Sequence, residues 1–248
     1  MSTNTIALLR PENYEKRLAI VVPYRDRAEN LSQFVPHIRS YFERDKLDRL
    51  IPYRVHVVEQ LGSQPFNRGY LRNVGFCIAA GSSDYTVFHD VDYAPIWADY
   101  SYTDKPYRLI WHGLVLRENY DTFFGGVVGF PNEQFVAVNG YSNEYWGWGA
   151  EDKELMLRCK MLGFDFGKRD GSYLALPHAH NGRDRFGRLN EVAKRIQRVF
   201  AERRKNLEFH RVRDGLNSIK FEIASSEKMT VEGKELENFL HHKVVLRT

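Results

Sequence analysis

The sequence predicts an α/β fold with a mostly parallel central sheet, built as a single domain. Its N-terminal part alternates short apolar runs with stretches whose apolar residues recur at helical spacing. That alternation is typical of a parallel sheet whose strands are connected by helices. Short continuous apolar runs are typical of strands buried on both faces. The 248 residues contain no internal repeat, low-complexity segment or Pro/Ser-rich linker that would divide them.

Three strands and two helices are predicted in the N-terminal part. The strands cover residues 18–23, 53–59 and 85–89. The first helix covers residues 27–41, and residues 66–80 are expected to form a loop that leads into the second helix. In such sheets, ligands bind at the carboxyl ends of the strands. Polar residues follow each of the three strands, so the sequence predicts a ligand site at this edge of the sheet.

The C-terminal half is predicted from weaker patterns. Residues 123–130 are expected to form a strand whose glycines permit close backbone approach. Asn132 is expected to cap a short helix that ends near Gly140. The remaining predicted elements are a helix over 151–162, a strand over 173–176, a basic helix over 188–206, and strands over 218–245 with a turn near 232–233.

Composition narrows the class of protein. Hydrophobic residues make up 43% and charged residues 27% of the chain, which predicts a folded core. A net charge of +4 suits an anionic ligand such as a nucleotide diphosphate but is too small to indicate nucleic acid binding. Two cysteines are too few for a disulfide framework or a thiolate zinc site. Neither a transmembrane span nor a signal peptide is apparent, so we expect a cytoplasmic protein.

The segment 145–152, YWGWGAED, carries the strongest functional signal. Indole rings stack on sugar rings, and glycines let a backbone hinge. A carboxylate beside them can take a proton from a sugar hydroxyl. The segment therefore predicts a sugar-handling lid with a general base at its C-terminal end. The alternative is an aromatic-rich turn that caps a helix beginning near Glu151.

Two pairs of side chains are candidates for a metal site. Asp90 and Asp92 follow the third strand, where an extended backbone would point both carboxylates the same way. His178 and His180 have the same spacing, and imidazole is a good ligand for Mn, Zn or Fe. Two nitrogens and one carboxylate suit Mn²⁺ bound to a diphosphate, and they also suit catalytic zinc. The alternatives are solvated turn aspartates and an incidental surface histidine pair.

Three arginines, Arg25, Arg27 and Arg68, precede or open predicted helices near the strand ends. The guanidinium fork matches phosphate geometry, so these side chains are candidates for binding a diphosphate. Surface salt bridges are the alternative.

The motifs lie in a characteristic order. They occupy residues 23–27, 66–68, 73–76, 90–92, 124–126, 139–140, 146–149, 151–152 and 214–217. In this order they resemble the β-1,4-galactosyltransferases, and the His178–His180 pair resembles the xylosylprotein 4-β-galactosyltransferase branch. The resemblance implies a GT-A-type, Rossmann-like nucleotide-sugar fold over residues 18–248, preceded by an N-terminal extension over 1–17.

The resemblance also implies the reaction and the site. It implies an inverting, Mn²⁺-dependent transfer of galactose from UDP-galactose to a hydroxyl of a glycan or glycoside acceptor, in β-1,4 linkage. Asp92, His178 and His180 would be the metal ligands, Asp152 the general base, and Glu151 a group that helps to hold the sugars. The implied donor-binding residues are Arg25, Phe66, Arg68, Asp90, Phe123 and Trp148, and the acceptor-binding residues are Tyr145, Trp146, Trp148 and Lys153.

Two departures from the family pattern concern specificity. Lys153 stands where the family commonly has a second Asp after the base, and a lysine there would favour an acidic acceptor such as a uronic acid or a phosphorylated glycan. Phe123 replaces the tyrosine that selects galactose in the family, so UDP-N-acetylgalactosamine is an alternative donor.

Two further functions compete with a galactosyltransferase. A non-catalytic carbohydrate-binding module would be free to lose Asp92, Asp152 or His178, and all three are present. A zinc hydrolase acting on a nucleotide or sugar could use the same ligands. The missing anchor separates the chain from Golgi members of the family, which leaves a soluble fragment of a Golgi-type enzyme as the alternative to a cytoplasmic protein.

Overall fold

A computed structural model of the chain describes residues 15–44, 47–109, 124–169, 171–177, 182 and 187–247. Its strands are β1 (Leu18–Tyr24), β2 (Tyr53–Gln60), β3 (Tyr85–His89), β4 (Tyr93–Ala98), β5 (Tyr107–Arg108), β6 (Val127–Pro131), β7 (Gly167–Lys168), β8 (Gly171–Ala175), β9 (Phe221–Val231) and β10 (Lys234–Leu246). Its α-helices are α1 (Ala28–Arg44), α2 (Arg68–Ala79), α3 (Asn132–Ala137), α4 (Glu151–Met161), α5 (Glu191–Arg203) and α6 (Leu207–Arg211).

The central sheet has eight strands in the order β7-β5-β6-β3-β1-β2-β10-β9. Its middle is parallel: β1 pairs in parallel with both β2 and β3, and β10 pairs in parallel with β2. Strands β6 and β9 run antiparallel to β3 and β10. The mostly parallel α/β sheet predicted from the sequence is confirmed.

Both faces of the sheet are covered, which is why β1 is buried along its whole length. Helix α1 packs on one face through Phe34 and Ile38 against Val22 and Val57. Helices α2, α3 and α4 pack on the other face. Because alternate side chains of a strand point to opposite faces, a strand between two helical layers needs apolar residues at every position.

A separate two-stranded sheet, β4 with β8, was not predicted as a pair. It is antiparallel, and Tyr93 lies opposite Ala175. The amide of Leu176 donates to the carbonyl of Asp92 at 2.7 Å, which continues this pairing to the end of β3. The pairing therefore brings the chain after β8 back to the carboxyl edge of the central sheet.

The interpretation of Asn132 as a helix cap is wrong. Asn132 is the first residue of α3, and Pro131 occupies the cap position. The Asn132 side chain accepts from Thr86 Oγ1 at 2.8 Å and donates to the carbonyl of Ser83 at 2.8 Å. It ties α3 to β3 instead of capping its own helix.

The described residues contain no helix long and apolar enough to cross a membrane.

Candidate active site

Four charged side chains meet at the carboxyl edge of the sheet, and we call them the inner cluster: Arg68, Arg72, Asp90 and Glu151. Arg68 Nη1 donates to Asp90 Oδ2 at 2.8 Å, and its Nε donates to Glu151 Oε1 at 2.6 Å. Arg72 Nη2 donates to Asp90 Oδ1 at 2.5 Å. Each arginine thus bonds a carboxylate from another element, and the cluster joins α2 to the end of β3 and the start of α4.

The start of α2 explains how the arginines reach this point. Asn67 caps the helix by accepting from the amide of Tyr70 at 2.9 Å. Arg68 and Arg72 then stand four residues apart, on one face of the helix. A Cβ at position 69 would lie 3.3 Å from the Cβ of Glu151, so Gly69 allows α2 to lie close to the start of α4.

The ionisation of the cluster follows from its pairing. Burial opposes the charge on Arg68, but Asp90 and Glu151 outweigh it and hold the pKa of the guanidinium well above its usual value. Burial likewise opposes the charge on Asp90, but Arg68 and Arg72 lower the pKa of this carboxyl. Arg68 and Asp90 are therefore both charged at neutral pH, and the inner cluster pairs two guanidinium groups with two carboxyl groups.

Asp152 differs from its neighbour Glu151. Glu151 is buried and bonded to Arg68, whereas the Asp152 carboxylate is half-buried and accepts only from the amide of Lys153, at 2.8 Å, among the described residues. Burial and the charge of Glu151 raise the pKa of the Asp152 carboxyl. A carboxylate with a raised pKa and no arginine bonded to it is suited to accept a proton.

The two aspartates of the 90–92 segment do not share one environment. Strand β3 ends at His89, and the amide of Tyr93 donates to the carbonyl of Asp90 at 3.3 Å, which closes a turn. The extended backbone assumed for Asp90 and Asp92 is therefore wrong. Asp90 belongs to the inner cluster, while Asp92 is half-buried at the turn.

The structure places the start of the histidine segment beside Asp92. The amide of Leu176 bonds to the backbone of Asp92, and the carbonyl of Pro177 accepts from Asn30 Nδ2 at 3.3 Å. His178 and His180 themselves lie outside the described residues, as does Phe123. The described residues alone hold no group of three His, Cys, Asp or Glu suited to a metal.

The predicted donor residues Arg25 and Phe66 are in contact. The Arg25 guanidinium lies 5.5 Å from the centre of the Phe66 ring, and its Nη1 donates to the carbonyl of Gln64 at 2.6 Å. The carbonyl of Phe66 accepts from the amide of Gly147 at 2.8 Å. The loop after β2 is thus bonded directly to the aromatic segment 145–152.

That aromatic segment lies against α5. Gly147 has φ of +126°, and a Cβ there would lie 2.5 Å from Cγ1 of Val192, so only glycine fits. Trp148 is 39% exposed, and its indole lies so close to Gly182 that a side chain at 182 would overlap it. Trp146 is half-buried, with its ring 6.1 Å from that of Tyr70. The exposed indole of Trp148 and the half-buried carboxylate of Asp152 are therefore accessible to a ligand.

Tyr145, predicted to bind the acceptor, faces the interior. It is 1% exposed, and its hydroxyl donates to Glu154. Burial and the charge of Glu154 raise the pKa of this hydroxyl. In this conformation the side chain has no surface to offer an acceptor, and it anchors the aromatic segment to α4.

Glu154 belongs to a second group of charges, which we call the outer cluster: Glu154, Arg158, Arg203 and Asp214. Arg158 Nη2 and Arg203 Nε donate to the two oxygens of Glu154, each at 2.8 Å. Arg203 Nη2 also donates to Asp214 Oδ2 at 2.5 Å. Burial opposes the charge on Glu154, but the two arginines lower its pKa to about 2. This cluster ties α5 to α4.

Buried amides that the sequence argument left without a role hold the base of the aromatic segment. Asn73 exchanges two hydrogen bonds with the backbone of Tyr141, at 2.8 and 2.9 Å. Asn67 donates to the carbonyl of Asn143 at 2.7 Å. The carboxylate of Asp214 accepts from the backbone amide of Asn143 at 2.9 Å. Arg72 was also missed. Its four-residue spacing from Arg68, within a mostly apolar helix, was the available signal.

Comparison with known proteins tests these expectations. Two family models match the chain: the N-terminal region of glycosyl transferase group 7 over residues 7–103, and the N-terminal domain of galactosyltransferase over residues 111–180. Human β-1,4-galactosyltransferase 7 is 33% identical over 236 residues, which cover 90% of this chain and 68% of the human protein. This chain belongs to the β-1,4-galactosyltransferase family.

Other family members agree. Drosophila β-1,4-galactosyltransferase 7 is 32% identical over 87% of this chain and 66% of its own length. The catalytic domain of the Drosophila enzyme, solved with xylobiose, superposes with a TM-score of 0.74 at 28% identity, over 94% of this chain and 95% of that one. A mutant of it, solved with manganese, UDP-Gal and xylobiose, gives a TM-score of 0.70 at 29% identity, over the same shares. The GT-A fold implied by the family resemblance is confirmed.

Proposed function

We propose that this chain is a Mn²⁺-dependent inverting galactosyltransferase that moves galactose from UDP-galactose to a sugar hydroxyl, with Asp152 as general base. The observation that carries the proposal is the contrast between two adjacent carboxylates. Glu151 is sequestered by Arg68, while Asp152 keeps a half-buried carboxylate with a raised pKa. The Drosophila relative solved with manganese, UDP-Gal and xylobiose supports the donor, the metal and a sugar acceptor.

The residues fit the proposed metal. Asp92 supplies a carboxylate at the carboxyl edge of the sheet, and the backbone bond from Leu176 brings the chain to it two residues before His178. We assign Asp92, His178 and His180 as ligands, a nitrogen and oxygen set that suits Mn²⁺. The metal would supply positive charge at the departing diphosphate.

The donor would lie between the loop after β2 and the end of β3. Arg25 and Phe66 form a cation–aromatic pair there, a platform suited to a base and its phosphates. Arg68 already bonds two carboxylates, so its role is to fix Asp90 and Glu151 for the donor sugar and ribose. Because the two arginines of the inner cluster already pair with its two carboxylates, the affinity for the donor depends on Arg25 and the metal.

The chemical step then needs one proton transfer. Asp152 takes the proton of the acceptor hydroxyl as that oxygen forms a bond to the anomeric carbon. The bond between the anomeric carbon and the diphosphate oxygen breaks on the opposite face, and UDP leaves with the electron pair. Trp146 and Trp148 would hold the acceptor ring by stacking and exclude water, which would otherwise attack the donor.

A transfer assay tests this function. We expect galactose to pass from UDP-galactose to a nitrophenyl β-xyloside with Mn²⁺ and not with EDTA, and faster than from UDP-N-acetylgalactosamine. Asp92→Ala should weaken Mn²⁺ and donor binding together. Asp165→Ala, at a carboxylate whose side chain is 90% exposed, is the matched control. UDP release with zinc that needs no acceptor would instead indicate a hydrolase.

A further inference from the structure

Lys153 is an exposed cation one residue after the proposed base. It lies in the first turn of α4, where the helix dipole favours anions and disfavours a lysine. The neighbouring acids do not offset this cost with an ion pair. Glu151 is bonded to Arg68, and Glu154 is bonded to Arg158 and Arg203. A lysine at position 153 therefore does not stabilise α4, either through the helix dipole or through an ion pair with Glu151 or Glu154.

Other lysines in the described helical segments have partners. Lys194 bonds Glu191 at 2.7 Å, Lys205 bonds Glu202 at 2.8 Å, and Lys160 lies 5.8 Å from the centre of the Phe166 ring. Within those segments Lys153 has no such contact. The Lys153 ammonium group is exposed and stands one residue after the proposed base in the same helical turn, so it is available to pair with a charged group of the acceptor.

A second cation, Arg195, lies against the aromatic segment. Arg195 Nη2 lies 3.5 Å from the carbonyl of Trp146, at a weak hydrogen-bonding distance. It borders a groove whose lining also includes Gln64, Pro65, Glu144, Trp146, Ile196 and Val199. Among the described residues of that lining, Glu144 is the one carboxylate. Two cations, one that contacts Trp146 and one that follows the proposed base in the chain, would attract an anionic acceptor and raise its local concentration.

We propose that the acceptor is an anionic sugar, and that Lys153 selects it by pairing with its carboxylate or phosphate. This inference rests on the proposed galactosyl transfer and adds the charge class of the acceptor. The shared chemistry is a negative group on the ring whose hydroxyl faces Asp152. A uronic acid and a sugar phosphate are the two possible sources of that group.

Matched acceptors test the inference. Nitrophenyl β-glucuronide and nitrophenyl β-glucoside differ only at C6, where one carries a carboxylate and the other a hydroxymethyl group. We expect the wild type to have the higher kcat/KM for the glucuronide, and Lys153→Gln to lower the ratio of the two values by about tenfold, the size of a charged hydrogen bond. Lys153→Asp should lower it further, and Lys153→Arg should largely restore it.

A second pair identifies the anion. N-acetylglucosamine and its 6-phosphate distinguish phosphate from carboxylate as the preferred group. Lys234→Gln, an exposed lysine at the distant β9–β10 turn, should leave both ratios unchanged. Added salt should reduce the preference for the anionic acceptor in the wild type and have a weaker effect in Lys153→Gln.

The outcomes separate the two proposals. Preference for the neutral acceptors, or an equal loss on both acceptors in Lys153→Gln, would overturn the inference while leaving galactosyl transfer standing. No Mn²⁺-dependent binding of UDP-galactose by the wild type would overturn the proposed function, and the inference with it.

Discussion

The inner and outer clusters are built from similar residues but have different roles. Each contains two arginines and two carboxylates, and each takes one carboxylate from the first turns of α4, Glu151 in one and Glu154 in the other. The two glutamates are three residues apart and so lie on neighbouring parts of one helix surface. A single turn of helix therefore contributes to both clusters.

The difference lies in exposure. In the outer cluster the side chains of Arg158 and Glu154 are 0% and 1% exposed, and Arg203 is 8% exposed. In the inner cluster Arg68 is 24% exposed, and Asp152, next to Glu151, is half-buried. We infer that the closed cluster serves the stability of the fold, and that the cluster open on one side serves the ligand.

Breaking the outer cluster should have the largest effect on folding. Arg203→Met leaves Glu154 and Asp214 buried with Arg158 as the one remaining arginine of the cluster, and removing one partner of a buried pair typically costs about 3–5 kcal/mol. Denaturant unfolding measures this loss. Arg204→Met, at the exposed neighbouring position, should change the free energy of unfolding by less than about 0.5 kcal/mol. Equal stability of the two variants would remove the structural role of the outer cluster.

Breaking the inner cluster should affect catalysis more than folding. Arg68→Met frees Glu151 and Asp90 to move, and a small displacement at a reacting centre can lower kcat/KM by about 100-fold. Because Arg68 is partly exposed and Arg72 remains, we expect a stability loss smaller than that of Arg203→Met. Steady-state kinetics and unfolding on the same preparation provide the comparison. A stability loss as large as that of Arg203→Met, without a kinetic effect, would contradict the distinction between the clusters.

Tyr145 lies on the boundary between the two regions and sharpens the comparison. Tyr145→Phe removes the hydrogen bond to Glu154, and bonds to charged groups contribute about 1.5–3 kcal/mol. We expect that loss in the free energy of unfolding, with an unchanged KM for the acceptor. A raised acceptor KM at unchanged stability would instead restore the acceptor-binding role that the sequence predicted.

At neutral pH the smallest expected effect lies far from both clusters, at a buried histidine pair. His56 Nδ1 lies 3.0 Å from His242 Nε2, and burial, with the charges of His242 and Arg54, lowers the pKa of His56 to about 3. The unfolded chain therefore binds a proton that the folded chain does not, and stability falls as pH drops from about 6.5 towards 3. Each such group contributes a slope of up to about 1.4 kcal/mol per pH unit.

Thermal unfolding across that pH range tests this prediction. His56→Gln should flatten the slope without abolishing it, because burial also lowers the pKa of His89, to about 4. A slope identical to that of the wild type would show that His56 takes up a proton within the folded protein.

The sequence anticipated the elements whose signals are local. Helix α2 begins after Asn67, as the loop and helix predicted over 66–80 imply, and α5 lies within the predicted basic helix, capped by Asn190. The pairings that build the site are not local. Arg68 and Glu151 are 83 positions apart, and no pattern of spacing reveals such a contact.

The position of the C-terminal hairpin in the central sheet could not be predicted from the sequence either. The strands and the turn near 232–233 were predicted, but the parallel pairing of β10 with β2 joins residues separated by most of the chain. The contacts of Asn73 and Asp214 were missed for the same reason, although both residues lie in motifs of the sequence. Asn73 and Asp214 bond backbone groups around residues 141–143, and a sequence does not state which distant backbone groups need partners.

The contrast between Glu151 and Asp152 is tested most directly by Asp152→Asn. We expect calorimetry to show UDP-galactose binding in the presence of Mn²⁺ with wild-type affinity, and the rate of transfer to a xyloside to fall by about 10²–10⁴-fold, the usual contribution of a general base. The substitution removes the proton acceptor and leaves the inner cluster paired. Transfer at the wild-type rate, with donor binding intact, would contradict the account and remove Asp152 from its role as the base.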